Sequence, residues 1–279
     1  MLATDVRVVL ATGRSPWDGV SALAADLGLS GPHIAVQGAV ICDPDRGVVH
    51  RARAIPPSVF NDAIRLGEEA GIDPLVGLID GYHAACRPAE VDFAEVGHSG
   101  ALFQPEDDLR RLVDQDPLRV FLPTVPELHR RVRAAAARRL GGRASIVWSD
   151  TTGIDVLAAG TSKGEAVDWL ASHLGIGAAE IAAVGDARND IEMLRIAARS
   201  AAMGSAPWDV RAAADVVVPT SDEEGLIDAL GWLFPDLAGA FREPRVARTA
   251  DGRRGSGRDE PLRTRRGRHH RHDVRRGRR

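Results

Sequence analysis

Residues 6–11, VRVVLA, form a short apolar run that passes directly into a polar turn, Thr12-Gly13-Arg14. Ser15-Pro16 comes next, an N-cap with proline at the first helical position, where its missing N–H is no loss. Trp17, Val20, Leu23, Ala24 and Leu27 then recur at helical spacing, and Gly28 closes the helix. Strand, tight turn and helix in this order make half of a βαβ unit. The same alternation returns late in the chain. Ser162 to Glu165 reads as a capping box, opening a helix with Val167, Leu170 and Leu174 on one side. The strand IAAVGD, 181–186, enters another helix through Ala187-Arg188-Asn189-Asp190, and a strand over 215–220 precedes a helix over 221–234. Between these ends the pattern mixes helical stretches with short strand-like pieces, as in an α+β domain. The expectation is a doubly wound, Rossmann-like α/β core over 1–51 and 160–241, interrupted by a smaller α+β domain over 52–159.

Charge separates a further segment. Residues 242–279 hold fifteen arginines and five acidic residues, a balance of +10, while the whole chain carries −3, so residues 1–241 carry about −13. The Arg-rich stretch has no periodic apolar positions and cannot offset its ordering entropy, so it is expected to be disordered. Its charge could hold nucleic acid non-specifically; an unstructured biased extension is the plainer reading. No apolar run approaches the ~18 residues of a membrane span. Two cysteines, Cys42 and Cys86, make neither a disulfide framework nor a metal-ligand spacing. The N-terminus has no signal-peptide pattern, and a cytoplasmic protein is expected. Oligomeric state is open.

Three loops leave the carboxyl ends of strands, or open helices, with polar groups suited to chemistry. Thr12 and Gly13 offer a hydroxyl and free N–H groups beside a helix start, which suits an anion. Asp186 and Asp190, with Asn189 between them, suit a hard cation such as Mg²⁺ bound through one or two carboxylates plus substrate phosphate. Lys163 is the only lysine among 36 basic residues and lies on the first turn of a helix, where it can act as a point charge. Each has a dull alternative: a plain strand-to-helix turn, an N-capping carboxylate, a solvated lysine. Their order along the chain is what joins them.

VVLATGR resembles the second motif of the haloacid dehalogenase (HAD) superfamily, TSKGEAVDWLASHLGI the third and AVGDARNDIEML the fourth. AAMGSAPWDVRAAADVVV and SDEEGLIDAL resemble the stretch beyond the fourth motif in its Cof-type, subclass IIB branch. The resemblance covers roughly 6–234 and is vague over 52–159, where that family carries a cap domain. It implies a Mg²⁺-dependent phosphatase acting on small phosphorylated metabolites, such as sugar phosphates, by electrostatic stabilisation of phosphoryl transfer. It further implies that Thr12 and the Gly13 backbone bind the transferring group, with Arg14 lining the same mouth. Lys163 would neutralise charge, Asp186 would ligate Mg²⁺, and Asp190 and Asn189 would order the metal's shell and the phosphate site. Asp80, His83 and Arg87 are polar candidates in the insert, a solvated loop being the better reading of them.

Two departures bear on activity. The family opens with a strand ending in Asp-x-Asp-Gly-Thr, about thirty residues before its second motif, whereas eleven residues precede Thr12 here. Asp5 begins a strand rather than ending one and has no Asp two residues on. Gln37 stands before Gly38-Ala39, where the family usually has Asn. The missing strand would lie between those ending at Ala11 and Gly185, leaving two unpaired rows of backbone groups. The expectation is an enzyme whose true start lies upstream of Met1, with negligible activity in these residues alone. A non-catalytic phosphate-ligand or partner-binding protein, and a phosphohexomutase-type phosphotransferase, are the alternatives.

Overall fold

The segment leading into Thr12 is held from one side. Ile34 N–H donates to Leu10 O at 2.8 Å and Thr12 N–H to Ile34 O at 3.0 Å, a parallel bridge centred on Ala11. The strand expected over 6–11 is thus reduced to this one bridge. Val6 and Val8 are exposed, and the Leu10 N–H turns to a side chain, donating to His33 Nδ1 at 3.2 Å. The computed structural model describes residues 6–84, 103–148 and 152–237; the expected disorder of the Arg-rich tail, and Arg87, lie outside them.

Ser15 caps the next helix by accepting from Gly19 N–H; a wide π-type turn, Pro16–Val20, leads into α1 (Ser21–Asp26). β1 (His33–Ala35), β2 (Val40–Asp43) and β3 (Val48–Ala52) form an antiparallel sheet. The insert comes next, with α2 (Pro57–Ala70), β4 (Leu75–Gly77), β5 (Tyr82–Ala84), β6 (Phe103–Pro105), β7 (Arg119–Pro123), α3 (Pro126–Leu140), β8 (Ala144–Val147) and β9 (Gly153–Ala158). Its strands join in one sheet of order β6-β5-β4-β7-β9-β8. Side chains alternate across a strand, so Val120, Leu122, Ile154 and Val156 pack under α2 and α3 with Phe60, Ile64, Val132 and Leu140. Arg119, Phe121 and Asp155 stand on the opposite face, and that face turns to the core.

The chain then returns to the core through α4 (Lys163–Leu174), β10 (Ala182–Gly185), α5 (Ile191–Ile196), β11 (Arg199–Met203), α6 (Trp208–Arg211), β12 (Val216–Val218) and α7 (Gly225–Leu233). β10, β11 and β12 are parallel and joined by helices, the doubly wound α/β pattern. Ala166 and Leu170 of α4 pack on Ile34 and Ile41, tying the two halves of the core together. Among the described residues β10 pairs only with β11. Its other edge borders a cavity of about 210 Å³ whose lining includes Val9, Ala11, Val167 and Val184. No described helix is long and apolar enough to cross a membrane.

Candidate functional site

Four stretches of backbone meet beyond the ends of the core strands: 12–14, 36–38, 162–163 and 186–190. Val36 N–H donates to Arg14 O at 2.9 Å and Gln37 N–H to Thr12 O at 3.0 Å, lacing the first two together. Inside the first turn, Thr12 Oγ1 accepts from Arg14 N–H at 3.2 Å. The hydroxyl keeps its own proton to donate, and the Gly13 N–H has no acceptor among the described residues. Both are fit to hold an anion.

The second turn is backbone under strain. Val36 and Gln37 both adopt positive φ, 47° and 58°. A β-branched residue there is an outlier, and each such residue costs about 1–3 kcal/mol unless its surroundings fix it. Gly38 comes next at φ 100°, and a Cβ on it would lie 2.2 Å from the Ser162 carbonyl oxygen. Only glycine allows that approach, which sets the start of α4 directly against the 36–38 turn. Ser162 caps α4 by accepting from Glu165 N–H at 3.0 Å.

Lys163 is therefore buried at the head of its helix, where its ammonium donates to Asp190 Oδ1 at 2.7 Å. Asp190 Oδ2 accepts from the N–H groups of Asp186 and Ala187, each at 3.0 Å. Asp190 thus neutralises the lysine and closes its own loop. The Asp186 carboxylate is exposed and has no partner among the described residues. These donors suit a hard cation as one free carboxylate beside an anion site. No three described His, Cys, Asp or Glu side chains are grouped to hold a metal by themselves.

The insert reaches the same place from behind. Arg119 Nε donates to Asp155 Oδ1, and Arg119 Nη1 to the Gly13 carbonyl at 3.2 Å and to the Tyr82 hydroxyl at 3.1 Å. Its guanidinium also lies 4.8 Å from the Phe121 ring centroid, a favourable cation–π distance. Burial pulls this guanidinium's pKa down, but the Asp155 carboxylate and Tyr82 outweigh it, and the net shift is upward. Asp155 Oδ2 accepts from Gln37 Nε2 at 3.0 Å, and Gln37 Oε1 accepts from Asn189 Nδ2 at 2.8 Å. Gln37 is the hub: it touches the Thr12–Gly13 turn, the insert and the 186–190 loop.

Thr12, Gly13, Asn189, Lys163, Asp186 and Asp190 are thereby connected through one network. The Arg14 backbone belongs to it, while its side chain is exposed without a carboxylate partner among the described residues. In the insert, His83 is buried with Nε2 at 3.5 Å from the exposed Asp80, and neither belongs to the network. Strand alternation sends its neighbour Tyr82 there instead. Sequence reasoning misses Arg119, Asp155 and Tyr82, and treats Gln37 only as a departure. The available signal is a lone arginine inside an otherwise apolar strand, RVFLP, and a lone aspartate inside another, GIDVLA.

A model of the haloacid dehalogenase-like hydrolase family matches residues 1–230. The chain is 28% identical over 250 residues to the chloroplastic endoribonuclease YBEY of Arabidopsis thaliana, covering 82% of this chain but 41% of that protein. It is 29% identical over 252 residues to the phosphatase YwpJ of Bacillus subtilis, covering 82% of this chain and 88% of that one. Among solved structures, the HAD subclass IIB sugar phosphatase BT4131 superposes with a TM-score of 0.71 at 23% identity, over 81% of this chain and 85% of that one. At that identity the likeness carries the fold alone.

Proposed function

Because the chain belongs to the haloacid dehalogenase-like hydrolase family, we propose that its site is that of a Cof-type phosphomonoester hydrolase for small phosphorylated metabolites. One observation carries the reading: the anion-holding turn is tied by hydrogen bonds through Gln37 to the 186–190 loop, whose Asp190 pairs with the buried Lys163 ammonium and whose Asp186 carries an exposed carboxylate. The Thr12 hydroxyl and Gly13 N–H hold the phosphoryl oxygens. Lys163, pinned by Asp190, places a fixed positive charge beside them. Asp186 would hold Mg²⁺ together with substrate oxygens, with Asn189 and Asp190 ordering the loop around it. The metal would supply charge neutralisation on the phosphoryl oxygens. Such preorganised charges stabilise the transferring group without rearranging during the reaction.

The 279 residues contain no Asp-x-Asp-Gly-Thr run. A protein of these residues alone therefore binds phosphate esters and turns them over negligibly, which favours the binding reading for it. The test is calorimetric titration of orthophosphate in the presence of Mg²⁺, alongside turnover of p-nitrophenyl phosphate. Saturable binding is expected, lost in Thr12→Val and in Asp186→Asn, with no turnover above background. Absence of binding would overturn the phosphate site. Turnover comparable to that of ordinary family members would show that a nucleophile lies elsewhere in these residues.

A further inference from the structure

We propose that Arg119 of the insert is a positioning residue of the anion-holding turn, acting through the Gly13 carbonyl. This role rests on the proposed phosphate site and adds to it a residue from outside the core. The peptide unit between Gly13 and Arg14 is gripped at both ends. Its carbonyl accepts from Arg119 Nη1 at 3.2 Å, and its N–H donates to Thr12 Oγ1 at 3.2 Å. A peptide unit is planar, so the direction of its carbonyl fixes the direction of its N–H. Arg119 thereby sets which side of the Thr12 hydroxyl oxygen is occupied, and with it where the hydroxyl proton is free to point.

The turn needs an outside hold. A Cβ on residue 13 would fall 2.6 Å from Gln37 Nε2, so the close approach of the Gln37 amide requires glycine there. Glycine has the softest torsions of any residue. Among the described residues Arg119 is the one donor to the Gly13 carbonyl. Without it, that peptide is free to rotate and to carry the Arg14 N–H away from Thr12.

Arg119 suits the task because it cannot swing. The residue is 4% exposed, its Nε donates to Asp155 Oδ1, and its Nη1 donates to the Tyr82 hydroxyl as well as to Gly13. Asp155 is itself tied to the core, accepting from Gln37 Nε2 at 3.0 Å. A guanidinium holds its donors in one rigid plane, so seating Nε on Asp155 also places Nη1 on the Gly13 carbonyl. A lysine keeps the charge on a flexible stem and has no such fork. Charge and geometry are therefore separable at this position.

The experiment compares Arg119→Lys with the unmodified full chain, both in Mg²⁺. Orthophosphate affinity is read by calorimetry, stability by urea unfolding, and the Arg14 N–H by its amide proton resonance. The lysine leaves a cation beside Asp155, so the unfolding midpoint is expected to fall less than in Arg119→Met. Orthophosphate affinity is nonetheless expected to drop about fivefold. The Arg14 resonance should move upfield as its bond to Thr12 Oγ1 is lost. Unmodified affinity in Arg119→Lys would reduce Arg119 to a structural charge and overturn the positioning role, leaving the phosphate site intact. An unmoved Arg14 resonance would overturn it equally. If orthophosphate does not bind the unmodified chain, the phosphate reading itself fails and the positioning role falls with it. Should Arg119→Lys not fold, Arg119→Met/Asp155→Leu replaces it, since it leaves no orphaned charge. The same Arg14 shift is expected there, and its absence again overturns the role.

Discussion

On the core side of the site, the groups that face the opening are unengaged: the Thr12 hydroxyl proton, the Gly13 N–H and the Asp186 carboxylate. On the insert side, Arg119, Asp155 and Tyr82 are all buried and bound to other groups. The core presents and the insert orients. The difference comes from the elements that carry them. Loops at strand ends leave backbone and short side chains open, whereas most polar atoms on a strand buried between a helical layer and the core are hydrogen-bonded. Ligand-holding groups gain precision from such a supporting layer.

The two sides should therefore fail differently. Arg119→Met strands Asp155 as an uncompensated buried charge and should cost about 3–5 kcal/mol of stability in urea unfolding. The double substitution Arg119→Met/Asp155→Leu should recover most of that loss, because paired removal leaves no orphan. A double variant as unstable as the single one would show that the pair's role is not electrostatic. Lys163→Met should cost less, about 1–3 kcal/mol, since Asp190 keeps two backbone donors. Its main loss should be orthophosphate affinity, read by calorimetry. If stability fell as far as in Arg119→Met, the distinction between the two sides would break.

A milder effect concerns the approach to Thr12. His33 is buried and accepts from Leu10 N–H, so its ring must be neutral at Nδ1. Burial lowers its pKa below the ordinary 6.5, with Asp45 opposing the shift. The unfolded chain therefore takes up the proton first as pH falls below about 6.5, and stability is lost in that direction. Protection of the Leu10 and Thr12 amides, their exchange corrected for the intrinsic slowing with falling pH, should decrease below that pH; unchanged protection down to pH 5 would remove His33 from the account. Smallest of all is Arg139→Ala. This residue pairs with Glu69 at 2.8 Å on the surface, and the substitution should produce no measurable shift in unfolding midpoint.

The core half was legible because its residues sit beside strand and helix ends in sequence. Thr12 ends an apolar run, Lys163 stands after an N-cap serine, and Asp186 ends another apolar run. The doubly wound pattern with an insert was legible for the same reason. What was not legible depends on distant pairing. Gln37 reaches Asp155 and Asn189, 118 and 152 positions away, from a backbone conformation that local pattern does not announce. Arg119 and Asp155 read as interruptions of apolar strands until the register of β7 against β9 sets Phe121 opposite Asp155. The expected strand over 6–11 failed for a related reason: an apolar run becomes a strand only where a ladder receives it.

The consecutive left-handed residues Val36 and Gln37 have one more implication. Exchanging either for glycine would relax the main chain there and, by that measure alone, raise heat resistance. At position 37 the same exchange would erase the amide that passes the orientation of Asp155 on to Asn189. Thermal tolerance and grip on the ligand therefore pull in opposite directions at this dipeptide, and a variant selected only for surviving heat would be drawn toward a looser, less discriminating pocket.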